Sequence, residues 1–189
     1  MVTTAMLTAA AFVLFLLEIP IFAAVPVVSF LKLDFSDIPA LLAGMMFGPV
    51  YGAVVELLKN VLELMVRGLG SQMGFGNILN FVVGTAFVVP FSIMYRAEKK
   101  SCGTAPEKKK LIPAAILSTL ITALAGALFN RLITPLFFRF FLGTELTKEI
   151  LDTVIIFATI LNVIKGVLLS TAGFAAVKPL KKLTGKYKM

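Results

Sequence analysis

The sequence predicts an all-α integral membrane protein of six transmembrane helices, with a short second helix and a gating loop between helices 1 and 2. Three observations predict it. The first is composition: 59% of the 189 residues are hydrophobic, where soluble domains average about 45–50%. Mean hydropathy is +0.97, which leaves no room for a separate soluble domain, so 1–189 reads as one transmembrane unit. The second is charge. The formal net charge is +8, and the basic residues gather in the loop 96–110 and in the C-terminal tail, flanking hydrophobic segments. In a soluble protein this excess suggests nucleic acid; here it reads as membrane topology, with no nucleic-acid partner. The third is the stretch KLDFSDIPALLAGMMFGPVYGA at 32–53. A polar cluster (Lys32, Asp34, Ser36, Asp37) opens into a short apolar run that Gly48-Pro49 breaks. Irregular polar backbone inside a bilayer is tolerated only where it is buried in protein or lines a cavity. The stretch therefore reads as the lid and one wall of a binding site.

Several chemistries are removed at the outset. The chain has no histidine, the commonest general base and metal ligand, and its one cysteine, Cys102, lies in a polar loop. No metal site, no cofactor and no disulfide framework is expected. The residues after Met1 lack the basic start of a signal peptide, so no cleavage is expected near Ala23-Ala24.

Helix 1 is predicted over 3–23, long enough to span. Ala5 and Ala9 stand four apart beside Thr4 and Thr8, and small residues at this spacing let another helix approach closely. On spacing alone, packing within the protein is the favoured reading. Glu18, Pro20 and Pro26 mark the exit, and 19–31 reads as an extended apolar loop. Helix 2 starts where Ser36 or Asp37 can cap it and Pro39 suits its first turn. It has about a dozen residues, roughly 18 Å at 1.5 Å per residue. Gly44, Gly48 and Gly52 allow close packing at its end. Helix 3, 50–67, carries Glu56, Lys59, Asn60, Glu63 and Arg67 on one face. Ionisable groups in a membrane segment seldom face lipid. That face reads as an internal ion-pair network, as a wall of the site, or as both.

Gly68, Gly70, Gly74 and Gly76 form a loop that is not a phosphate loop, since no strand precedes it and no Gly-Lys-Ser/Thr follows. Helix 4, 77–95, opens with Asn77, Asn80 and Gly84 on one face. Helix 5, 111–133, places Thr119, Thr122, Gly126 and Asn130 at helical spacing, where they are expected to face inward, and Thr134-Pro135 is predicted to end it. The aromatic segment LFFRFF at 136–141, around Arg139, reads as an interfacial anchor in preference to a ring-stacking surface. Helix 6, 148–177, carries Asn162, Lys165, Gly166, Ser170 and Gly173 in one stripe, and the tail adds Lys178, Lys181, Lys182, Lys186 and Lys188. With six spans, the basic loop and tail share one face. Positive-inside makes that face and both termini cytoplasmic.

The candidate site follows from this topology. Asp34, Asn77, Asn80, Asn130, Asn162 and Lys165 converge on the outer half of the bundle, with Glu56 and Lys59 deeper. Asparagine offers an acceptor and two donors, and lysine three donors, which suits the edge of a flat heterocycle and a row of hydroxyls. Ion pathways favour carboxylates or bare carbonyls instead. Lys165 is the sharpest single residue. A buried cation without a partner is strongly disfavoured, so it needs a carboxylate, amides or a ligand.

The chain resembles the substrate-binding S components of energy-coupling-factor (ECF) vitamin transporters, most closely the riboflavin-binding members. The resemblance spans nearly the whole chain and is carried by FLKLDFSDIPALLAG at 30–44, FGPVYGAVVELLKN at 47–60, GNILNFVVGTAFVVP at 76–90 and NVIKG at 162–166. It implies an outward-facing vitamin pocket gated by the loop between helices 1 and 2. It also implies docking on a transmembrane coupling protein, EcfT, driven by two cytoplasmic ATPases, with riboflavin as transported ligand. By the same resemblance Ala5 and Ala9 become docking residues, and Asn130, Asn162 and Lys165 match flavin-contacting positions. Asn80, Leu33, Asp34, Glu56 and Lys59 are further candidates, the last two also readable as structural. Three other functions compete: an S component for another vitamin such as biotin or thiamine, a stand-alone ion-coupled carrier using the Glu56–Lys59–Glu63 face, and an intramembrane enzyme. The last is poorly supported without histidine or a Ser–Lys pair.

Overall fold

In the computed structural model, helix α1 (Val2–Leu16) ends well before the predicted residue 23. Residues 1–68, 74–103 and 105–186 are described, apart from the side chains at 141–142 and 182–186. Gly70, Lys188 and the side chains of Lys182 and Lys186 therefore lie outside the described residues. The early stop of α1 has a local cause. Pro20 has no amide to continue a helix, and Ile19 and Leu33 exchange two backbone hydrogen bonds, of 2.8 and 2.9 Å. What was predicted as the end of a helix is the first leg of the loop. That loop includes a single 3₁₀ turn, Pro26–Val28. At about 22 Å, α1 is shorter than the roughly 30 Å hydrocarbon core.

Helix α2 (Asp37–Phe47) is short, as its sequence predicts. Ser36 holds the N-cap position, yet its side chain makes no cap hydrogen bond there. It is drawn into an ion-pair network instead. Gly48 takes φ 128°, a conformation side-chain-bearing residues avoid. The Arg96 guanidinium stands 3.1 Å from where a β-carbon would be. Glycine here lets the chain reverse directly into α3 (Pro49–Arg67).

Helix α4 (Phe75–Cys102) outruns the predicted 77–95 at both ends and carries Pro90 inside it. Helix α5 (Ile112–Phe137) follows a 3₁₀ turn at Lys108–Leu111 and does not end at Thr134-Pro135. It passes through Pro135 and widens into a π-helical turn, Phe138–Leu142. Membrane helices tolerate proline where local widening and neighbouring groups re-satisfy the freed carbonyls. Helix α6 (Lys148–Lys186) likewise continues past the predicted 177 with Pro179 inside it.

Among the described residues, three helical stretches are long and apolar enough to cross a membrane by themselves: Phe75–Cys102, Lys108–Phe140 and Lys148–Lys181. The others complete the bundle. α1 packs on α3 and α2, and α2 is wedged against α1, α3, α4 and α6. The main core gathers Leu41 and Met45 of α2, Phe87, Phe91 and Tyr95 of α4, and Leu169 of α6. A second core seats the loop on the first half of α6: Val28, Leu31 and Leu33 pack against Val154, Ala158 and Leu161. Phe22 meets Phe157 edge-on at 5.0 Å. Lys99, Lys100, Lys108–Lys110 and Lys178 all fall at one end of the bundle, as the chain order requires. The loop, the end of α3, the start of α4 and the aromatic end of α5 fall at the other.

Candidate binding site

A cavity of about 560 Å³ opens at the end of the bundle away from the basic loop. Every α-helix except α2 contributes to it. Phe15 comes from α1, Phe30, Leu31, Lys32 and Asp34 from the loop, Glu63 and Arg67 from α3, and Asn77 and Asn80 from α4. α5 supplies Phe129, Asn130 and Phe137, and α6 supplies Leu161, Asn162 and Lys165. Its size falls in the roughly 300–1,000 Å³ range of small-molecule sites. Its lining fits that class too, being mostly apolar with a few convergent polar groups.

The deep end is a buried network of ionisable groups. Lys165 Nζ lies 3.2 Å from Asp34 Oδ2 and 2.9 Å from Asp37 Oδ2. Lys59 pairs with Asp37 Oδ1 on its other side, lies 2.7 Å from Glu56 Oε2 and donates to Ser36 Oγ at 2.6 Å. The Glu56 contact is a close charge pair whose angle is not that of a hydrogen bond. Lys59, Glu56 and Asp37 are fully buried. Such charges cost several kcal/mol each to take out of water and persist only when mutually paired. Their pairing ties the loop to both α3 and α6. Asp34 Oδ1 accepts from the Ser36 amide (2.9 Å) and hydroxyl, and Oδ2 accepts from Asn80 Nδ2 (3.1 Å). Burial by itself would raise the Asp34 carboxyl, but Lys165 first, then Lys59 and the Ser36 hydrogen bonds, hold it well below the ordinary carboxylate range.

The mouth carries a second, more exposed set. Glu18 Oε2 accepts from Lys32 Nζ (2.6 Å) and Arg67 Nη1 (3.2 Å), and Arg67 also donates to the Leu16 carbonyl (3.1 Å). The same arginine lies 3.6 Å from Glu63, which accepts from Asn77 at 2.6 Å. Here α1, the loop, α3 and α4 are fastened together around the opening.

The three inner asparagines differ. Asn80 is held between Asp34 and Asn60. Asn130 donates to the Gly126 carbonyl (2.8 Å) and accepts from Thr134 (3.2 Å). Asn162 is 6% exposed, lines the cavity and makes no hydrogen bond among the described residues. Its amide fills the space that a side chain at Gly126 would need. Its amide opens on the cavity with its hydrogen-bonding groups unspent, so a guest there can take them up.

A family model describing the substrate-specific component of ECF transporters matches residues 1–175. The chain belongs to this family. Among its relatives, the S component is similar to the Riboflavin transporter FmnP of Bacillus subtilis, at 32% identity over 90% of this chain and 85% of that one. The Riboflavin transporter RibU of Staphylococcus aureus is 30% identical over 90% and 84% of the two chains. The solved "Structure and mechanism of the S component of a bacterial ECF transporter" superposes with a TM-score of 0.71. It is 28% identical and covers 100% of this chain and 96% of that one.

Within this S component, the sequence-derived candidates fall into four groups. Asp34, Asn80, Asn130, Asn162 and Lys165 line the cavity together. Glu56 and Lys59 lie beneath it, fully buried in the ion network. Leu33 faces the second core, and its backbone forms the bridge to Ile19. Ala5 and Ala9 are exposed on α1, at a distance from the site. Sequence reasoning missed Phe137 and Phe138. The segment read as an interfacial anchor puts both rings on the cavity wall, with Phe137 edge-on to Phe75 at 5.2 Å. Phe140 alone of its described rings is strongly exposed, at 74%. Glu18 was also missed, and so was its pairing with Arg67 of the α3 polar face, since nothing in their spacing announces a pair made across the mouth.

Proposed function

We propose that this chain is the riboflavin-capturing subunit of an ECF-type ABC importer. The unpartnered Asn162 amide carries the reading. It stands beside Asn130, Asn80 and the Asp34–Lys165 pair, facing the aromatic wall of Phe75, Phe137 and Phe138. Amide edges, a lysine held by carboxylates and facing aromatic rings suit a neutral, flat, hydroxylated guest. The relatives named riboflavin transporters support the same ligand.

The remainder of the proposal concerns coupling. The protein sits in the cell membrane with both termini and the lysine-rich loop in the cytoplasm, as positive-inside argues, so the cavity opens outward. The exposed Ala5 and Ala9 on α1 offer a close-packing face for the transmembrane coupling protein. Two cytoplasmic ATPases supply the energy, and this chain performs no chemistry on its ligand. The loop over the cavity gates loading.

The test is fluorescence quenching of riboflavin by the detergent-purified protein, set against a panel of vitamins that includes biotin and thiamine. Quenching at micromolar riboflavin, competed by flavins and not by the others, supports the reading. No quenching makes riboflavin the wrong ligand. Uptake by the chain alone in liposomes, driven by an ion gradient without ATP, would replace the coupled mechanism with a stand-alone carrier.

A further inference from the structure

A second concavity, about 430 Å³, lies on the outside of the bundle between α5 and α6. Ile112, Ile116 and Leu120 form one side, and Val163, Val167 and Phe174 the other. The helices are antiparallel, so Ile112 and Phe174 stand at the basic end of the furrow, and Leu120 and Val163 deeper in the bilayer. Its depth has a local cause: Gly166 has no side chain, and Thr119 lies across it, 2.7 Å from where a β-carbon would be. Two of its three hydroxyls are already spent on their own helix. Ser170 donates to the Gly166 carbonyl (2.7 Å) and Thr171 to the Val167 carbonyl (2.9 Å). The furrow therefore presents a largely apolar surface, with the Thr119 hydroxyl, set against Gly166, as its one side-chain polar group not bonded to its own helix.

Its basic end is different. Lys109 precedes Ile112 by three residues, and Lys178 follows Phe174 by four. Both lie about one helical turn, roughly 5 Å, beyond the end of the furrow. Lys108 adjoins them, and all three are exposed. We propose that this furrow is a lipid site that takes an acyl chain of an anionic phospholipid, with the headgroup phosphate held against Lys108, Lys109 and Lys178. Basic residues at the membrane-proximal ends of transmembrane helices attract anionic headgroups. The lysines favour a lipid over a second helix, because apolar helix packing would use none of them. The site is separate from the ligand cavity and does not depend on what that cavity binds.

The test is native mass spectrometry of the full chain in mild detergent, with phosphatidylglycerol and phosphatidylcholine of identical acyl chains supplied together. Phosphatidylglycerol is expected to be retained in preference. Replacing Lys108, Lys109 and Lys178 by Gln should weaken retention by about fivefold per lysine removed, and Val167→Trp should displace the chain while leaving the lysines in place. A photoreactive acyl chain should cross-link to α5 and α6 in the wild type and not in Val167→Trp. Should the triple variant not fold, the single Lys109→Gln change reads the same preference. Equal retention of the two lipids, a preference that survives loss of the lysines, or cross-links to a second protein copy at these positions would overturn the proposal.

Discussion

Lys165 Nζ stands 3.2 Å from Asp34 Oδ2, joining the loop to the middle of α6 across 131 residues of sequence. The same ammonium is also held by Asp37 at 2.9 Å, so it reaches the cavity already neutralised. Its partners set its place, and it in turn fixes the carboxylates that hold the loop down. The pair is therefore both a part of the cavity lining and the tie between the loop and the bundle.

Lys165→Met is expected to abolish riboflavin quenching and to lower thermal stability. It leaves Asp34 and Asp37 facing each other without this cation, a situation that costs about 3–5 kcal/mol when a buried pair is broken. Combining Lys165→Met with Asp34→Asn should recover part of the stability and none of the binding. Titration of quenching together with a melting curve checks both.

Lys59→Met should act on stability more than on affinity. Lys59 is fully buried, does not line the cavity and compensates Asp37 and Glu56. Its loss is expected to destabilise the protein by about 3–5 kcal/mol, and Glu56→Gln in the same chain should relieve part of that. Retention of most of the binding at low temperature, with a lower melting temperature, is the expected result.

Gly126→Ala tests Asn162 without touching it. The added methyl occupies the space now filled by the Asn162 amide and forces that side chain to move. The displaced group is the end of a flexible side chain, so the fold should survive. Affinity should fall about tenfold, comparable with Asn162→Ala, since each removes about one hydrogen bond to the guest. Unchanged affinity in both variants would remove Asn162 from the site.

Binding should be flat between about pH 8 and about pH 5. The Asp34 carboxyl is depressed in the folded protein, so its contribution is fully present above the ordinary carboxylate value of about 3.9. It is lost only as pH falls through the lower, folded value. A decline in quenching within that window that persists in Glu56→Gln would show that Asp34 is not held ionised by Lys165 and Lys59.

Some of this was legible along the chain. The polar face of α3 pointed inward because buried ionisable groups are intolerable in lipid, and Glu56, Lys59, Asn60 and Glu63 are buried. The requirement that Lys165 have a partner followed from the same physics. That the partners are Asp34 and Asp37 did not, because pairing over such a separation depends on how the loop folds back. Leu33 shows the limit: it adjoins Asp34 in sequence yet faces the second core, since successive residues of an extended loop point to opposite sides.

Sequence by itself determined what the solvent imposes: an apolar helical bundle, the position of its charged ends, and polar side chains that had to face inward. These follow from local composition and the cost of polar atoms in hydrocarbon. Tertiary structure decided where helices stop and which groups meet. Helix α1 ends where a bridge to Leu33 captures its chain, α5 runs through Pro135 and widens only beyond it, and Asn162 is left unpaired where its neighbours are bonded. Each of these depends on atoms brought close from distant parts of the chain, and no pattern within a single segment encodes that distance.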